Sequence, residues 1–215
     1  MKKEVILIGG GGHAESIIDS IHTLEEYEII GILDNYKKTG ETVLGIKIIG
    51  TDMDLEELCQ KGLKYAIIAI GSIGNTETRR GIYELCKRTG YELPNIIDKS
   101  SIVSQTVHMG NGNFIGKGAV INSGAVIGNG CIINTGAIIE HGCTIGDFAH
   151  IAPGSVLCGN VSIQENAHIG AHSTIIQNVT IGYDTIIGAG SLVLKNIAPR
   201  QLAYGSPAKE VRSHE

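Results

Sequence analysis

From residue 115 onward the chain returns to an aliphatic residue at every sixth position. The series runs Ile115, Ile121, Ile127, Ile133, Ile139, Ile145, Ile151, Leu157, Ile163, Ile169, Ile175, Ile181, Ile187 and Val193 without a break. Four residues after each stands a small or short β-branched residue, from Ala119 and Ala125 to Thr185 and Ser191. Glycine often follows the aliphatic directly, as at Gly116, Gly128, Gly146, Gly170, Gly182 and Gly188. A period of six suits neither a helix of 3.6 residues per turn nor an open sheet of period two. It predicts a solenoid in which each unit is one short strand and one turn. The aliphatic points inward, the small residue sits where the chain bends, and glycine is expected to supply unusual backbone angles near the corners.

The first 95 residues alternate differently. EVILIG, residues 4–9, reads as a buried parallel strand, and GGGHAESIIDSIH after it as a helix. EIIGILD, residues 28–34, and YAIIAIG, residues 65–71, read as two more strands. Residues 54–60 suggest a short helix, and residues 76–88 a longer one stopped by Gly90. Alternating β and α units predict a small open parallel sheet with helices on its faces, a Rossmann-like α/β unit. The chain thus divides into residues 1–95 and a solenoid with its tail at 96–215.

Gly9, Gly11 and Ala14 match G-x-G-x-x-A between strand and helix, and Asp34 closes the next strand. A glycine turn at a helix N-terminus takes a phosphate or another anion. A complete dinucleotide domain needs more strands than this segment supplies, so a nucleotide or nucleotide-sugar is expected rather than NAD. Ligands of such sheets lie beyond the strand C-termini. That edge collects Gly11, Gly12, His13, Asp34, Asn35 and Gly71.

Composition narrows the classes. With 17 basic against 22 acidic residues and no Lys/Arg cluster, nucleic acid is not an expected partner. No apolar run approaches a membrane span, and the N-terminal one is too short for a signal peptide, so a cytoplasmic protein is expected. Five scattered cysteines without a CxxC read as reduced, small buried groups.

Residues 134–150, NTGAIIEHGCTIGDFAH, put Glu140 beside His141 and add His150 nine residues on. The inward positions belong to aliphatics, so Glu140 and His141 point outward. GGGGHA after the first strand, AIGSIGNTETRR after the third and this segment, with the closing YGSPAKEVR, resemble the NeuD/PglD family of bacterial sugar acyltransferases. The resemblance covers nearly the whole chain. It implies a left-handed parallel β-helix with triangular coils of about 18 residues, so that residues 18 apart stack at the strand spacing. His141 then lies under Gly159, and His150 under His168.

The resemblance further implies a homotrimer with acetyl-CoA bound between neighbouring solenoids and a nucleotide-sugar held by the N-terminal domain. Residue by residue, it makes His141 the catalytic base, with Asn134 and Glu140 as close neighbours. It puts His150 near the acetyl thioester, the Gly159 amide opposite its carbonyl, and backbone groups of Ala171 and Ala189 along the pantetheine arm. His13 and Asp34 fall at the sugar-nucleotide site. Members commonly carry an acidic residue directly after the base, where this chain has Gly142.

An imidazole with a pKa near 6.5 suits a general base at neutral pH. The expected acceptor is the amine of a UDP-linked 4-amino sugar, with a hydroxyl of sialic acid or a related sugar as the alternative. A trimeric scaffold without activity would explain the repeat but not the glycine turn ending in His13. Zinc enzymes on this scaffold use a histidine pair five residues apart. No such pair occurs here, and no metal is expected.

Overall fold

The computed structural model describes residues 2–213. The N-terminal domain is a five-stranded sheet flanked by helices. Its elements are β1 (Lys3–Ile8), α1 (Gly12–Leu24), β2 (Tyr27–Leu33), β3 (Thr42–Val43), β4 (Ile46–Gly50), α2 (Leu55–Gln60), β5 (Tyr65–Ile68) and α3 (Glu77–Thr89). The strand order is β3-β4-β2-β1-β5. Central β1 has parallel neighbours on both sides, and its residues 5–8 are buried, which explains its unbroken aliphatic run.

The sheet differs from the expected purely parallel one at its edge, where β3 and β4 form an antiparallel hairpin. Leu44 and Gly45 make its turn, both with positive φ (46° and 83°), the geometry that matches hairpin twist. A leucine in the first of these positions carries no turn signal, so the hairpin is invisible to residue pattern.

From Ile96 the chain winds into coils whose two-residue strands build three parallel sheets. Strands pair in a register of eighteen: Ile139 with Leu157, Ile145 with Ile163, and Ile151 with Ile169. No aliphatic of the six-residue series is more than 3% exposed. The small residues are buried too, and the polar ones among them bond to the adjacent coil. Ser155 Oγ donates to the Gly170 carbonyl and Ser173 Oγ to that of Gly188, each at 2.9 Å.

Glycine serves two registers rather than one. Those directly after the aliphatic do not have positive φ; they make room for the next coil. A Cβ at Gly146 would stand 2.6 Å from the Glu165 amide nitrogen. Positive φ belongs to a separate series, every sixth residue from Gly112 to Gly190. Gly142 is one of these, at +67°, and the series also admits Phe148, Asn160 and His172. A Cβ on Gly142 would also strike the Asn160 side chain one coil above. Glycine at 142 relieves both the left-handed backbone of the corner and the approach of Asn160, while other corners of the series carry larger residues.

The N-terminal domain packs on the outer face of the largest solenoid sheet. Phe114 and Ile132 of that face join the core under α1, and Phe148 joins the core under α3, meeting Tyr83 edge-on at 5.2 Å. Ile96–Ile97, the first rung, pairs with Phe114–Ile115. Asp98, only 3% exposed at this junction, accepts bonds from Ser20 Oγ (2.6 Å) and from Ser100 Oγ (2.6 Å). Burial alone would raise its pKa; these donors, with Lys117, outweigh that and hold it down at about 2. At the other end, the hairpin Gln201–Gly205/Ala208–Ser213 extends the same sheet from Ile186–Ile187.

Candidate active site

A pocket of about 420 Å³ opens beyond the C-terminal ends of β1, β2 and β5. Gly11, Gly12, His13, Asp34, Asn35 and Gly71, the residues assigned to this edge, all line it. Gly9 and Gly10 are tightly held: a Cβ on Gly9 would stand 2.8 Å from Ile70, and one on Gly10 3.2 Å from the Asp34 carboxylate. Gly11 and Gly12 instead border open space. Gly11 caps α1, so the amides of its first turn face the pocket without helical partners, as a phosphate site requires.

Asp34 is committed to the backbone. Its carboxylate accepts the amides of Gly10 (2.6 Å), Tyr36 (2.8 Å) and Lys37 (2.8 Å). Burial would raise its pKa, but the three donors win and lower it. Its contribution to the pocket is therefore to tie the glycine turn to the end of β2. Asn35 bonds reciprocally with Asp52, its Nδ2 donating to the carboxylate at 2.8 Å and its Oδ1 accepting the Asp52 amide at 3.3 Å. Tyr36, on the same wall, is 96% exposed. Asp52 and Tyr36 escape the sequence reading; an aromatic directly after the strand-end Asp34-Asn35 pair was the available signal.

The expected acyl-site residues fall into two groups on one chain. In the first, His141 stands at the corner between the strands Ile138–Ile139 and Thr144–Ile145. Its imidazole lies across the next coil: a Cβ on Gly159 would come within 2.6 Å of ring atoms Cε1 and Nε2. The Gly159 amide donates to no acceptor among the described residues, and the same holds for Ala171 and Ala189. Glu140 does not bond the imidazole. Its carboxylate accepts from Asn122 Nδ2 (3.1 Å), one coil below, and from the His141 amide (3.3 Å).

The second group faces the N-terminal domain. His150 and His168 stack as expected, rings edge-on with centroids 4.8 Å apart. His150 Nδ1 bonds the Ser72 carbonyl at 2.9 Å, and Asn134 Nδ2 meets His150 Nε2 at 3.3 Å. Asn134, expected beside His141, is thus a partner of His150 within the chain. His13 packs edge-on against Phe114 at 5.2 Å, its Nε2 buried without a partner. Arg79, 2% exposed on α3, donates Nη2 to the Phe148 carbonyl. Burial lowers the pKa of His13, His150 and His168 to about 4, and the Arg79 charge pushes the same way at each.

Burial pushes the thiols of Cys86 and Cys131 up to about 12, so neither is a nucleophile at neutral pH. Among the described residues no three His, Cys, Asp or Glu side chains gather as a metal site, and no helix is long and apolar enough to cross a membrane.

Residues 4–86 match the model of the PglD N-terminal domain, and residues 106–141, 124–159 and 160–195 match that of the bacterial transferase hexapeptide (six repeats). A histidine-to-asparagine variant of perosamine N-acetyltransferase from Caulobacter crescentus, in complex with CoA and GDP-perosamine, is similar over 98% of this chain and 97% of its own. The TM-score is 0.92 and the identity 36%. The chain belongs to the NeuD/PglD family of sugar acetyltransferases. PerB from the same organism, with the same two ligands, matches at 37% identity and a TM-score of 0.91, over 97% of each chain. The acetyltransferase domain of PglB from Neisseria gonorrhoeae, in complex with acetyl coenzyme A, matches at 31% identity and 0.89, covering 98% of this chain and all of that one. No curated protein sequence matches.

As a NeuD/PglD member the chain is an acetyl-CoA-dependent sugar acetyltransferase.

Proposed function

We propose that this enzyme acetylates the amine of a nucleoside-diphosphate-linked amino sugar, with His141 as general base. The observation that carries the reading is the imidazole of His141 lying over the Gly159 backbone, beside an amide with no acceptor among the described residues. The sugar nitrogen attacks the thioester carbonyl while His141 takes its proton. The Gly159 amide stabilises the oxyanion, a contribution on the order of 3 kcal/mol. Collapse expels the CoA thiolate, which the proton on His141 neutralises. Glu140 positions the corner through Asn122 and the His141 amide rather than by touching the ring.

The amides of Ala171 and Ala189 offer donors for the pantetheine arm. The α1 N-terminus offers donors for the diphosphate, and Asn35, Tyr36 and Asp52 form the wall beyond it for the nucleoside. The relatives crystallised with GDP-perosamine support guanosine at least as well as the uridine expected from sequence, and their N-acetyltransferase names favour an amine over a hydroxyl. The corner of His141 and the face that carries His150 and the nucleotide domain lie on different sides of one prism. This separation supports a site completed by a second subunit, and we infer a cytoplasmic homotrimer. Sedimentation reads the assembly. Thiol release from acetyl-CoA with GDP- and UDP-linked amino sugars, and with sialic acid, reads the acceptor; turnover with sialic acid alone would overturn the N-acetylation reading.

A further inference from the structure

The hydrogen bonds around His150 determine where its proton sits. The Ser72 carbonyl can only accept, so Nδ1 carries the hydrogen. On the other side, Asn134 Oδ1 accepts the Thr135 amide at 2.8 Å, which fixes the side-chain amide and turns its Nδ2 toward His150. Nδ2 can only donate, so Nε2 of His150 must accept. The ring is neutral, and its free lone pair is already used. A directed chain results, from Asn134 of the solenoid through His150 to the backbone of the 71–76 loop.

That loop and the first turn of α3 behind it are held to the solenoid at two further points. Thr76 Oγ1 donates to Asn166 Oδ1 at 2.9 Å, and Arg79, at the start of α3, donates to the Phe148 carbonyl. Phe148 and Asn166 are one coil apart on the same corner, and His150 is two residues on from Phe148. The loop's other side builds the pocket: Gly71 lines it, against His13. Family resemblance puts His150 beside the thioester, where a donor would be needed to polarise a carbonyl. An Nε2 that accepts cannot do that.

We propose that His150 is a positioning residue: it clamps the 71–76 loop, and with it one wall of the nucleotide pocket, to the solenoid, and its Nε2 does not polarise the acetyl group. The clamp rests on the nucleotide-sugar reading only for the identity of what the loop holds. The depressed pKa of His150 agrees with a ring that stays neutral while it does so.

The test compares His150→Ala with His150→Asn, whose amide nitrogen replaces Nδ1–H and nothing else. Hydrogen exchange is read on the peptide covering residues 71–79, and binding by titration with GDP and with UDP. Kinetics use acetyl-CoA and GDP-perosamine. The alanine variant is expected to exchange at least about tenfold faster in the loop and to bind its nucleotide about tenfold more weakly, the scale of one buried hydrogen bond. The KM for the sugar rises while kcat stays within about threefold, and asparagine restores all three. The proposal is overturned if loop exchange is unchanged in the alanine variant. It is equally overturned if both variants lose kcat alike with nucleotide binding intact, which makes Nε2 chemical. A wild type that binds neither GDP nor UDP indicts the nucleotide reading instead, and the exchange result still decides the clamp.

Discussion

Acidification should unlock the junction between the two domains. His13, His150 and His168 each have their pKa lowered from 6.5 to about 4, by burial first and by the Arg79 charge as well. A group depressed in this way contributes its stability in full above the unfolded value of 6.5 and loses it as the pH falls toward 4. At pH 5 the unfolded ring is almost fully protonated and the folded ring hardly at all, which costs about 2 kcal/mol per ring. Three rings together give about 4–6 kcal/mol, a large share of the stability of a typical domain. The perturbation is His168→Phe, chosen because, among the described residues, Nδ1 of His168 is buried without a partner and the ring's one aromatic contact is with His150. Urea denaturation at pH 7.5 and pH 5 gives the acid-induced loss for each protein. Any packing cost of the larger ring appears at both pH values and cancels. The loss should shrink by about 2 kcal/mol in the variant. An unchanged loss, or a wild type equally stable at both pH values, would refute the placement of these rings as buried and neutral.

Four further outcomes follow from the same structure. Gly159→Ala, at a residue without positive φ, should leave the melting temperature within a few degrees yet cut kcat on the order of a hundredfold, because the new methyl displaces the His141 ring. Asp98→Ala should cost about 2–4 kcal/mol at neutral pH, since it leaves the Ser20 and Ser100 hydroxyls without their acceptor, while Lys117 keeps Asp19; denaturant midpoints measure it. In the wild type the share from Asp98 ionisation, about 2 kcal/mol, is present above pH 4 and lost as the pH falls to about 2, a window below that of the histidines. Gly142→Ala should cost about 1–2 kcal/mol from its left-handed backbone and the approach of Asn160, and Asn160→Gly should recover part of it in a double-mutant cycle.

Much of this molecule is legible in its sequence because its order is local. Each solenoid unit repeats the same inward aliphatic and small residue, so pattern and packing coincide from Ile115 to Val193. The pocket at the strand ends was equally accessible, since strand ends of an open α/β sheet meet at one edge by topology. What escaped depends on contacts that no period announces. The hairpin turn at Leu44 and Gly45 has the wrong first residue for its geometry. The two roles of glycine look alike in a sequence: one register avoids the adjacent coil, and the other turns the corner. The pairing of Asn134 with His150 rather than His141 comes from which side of a three-sided prism each occupies. Family likeness supplied the coil of eighteen, but the partners of Glu140 and Asn134 needed coordinates.

The central claim is that His141 is the base. Its most direct test is thiol release from acetyl-CoA by wild type and by His141→Ala, with the nucleotide-linked amino sugar that supports wild-type turnover. The account predicts a fall in kcat of at least about a hundredfold, with nucleotide binding preserved. Turnover surviving within a few fold would contradict it, and would move the base to another residue of the site.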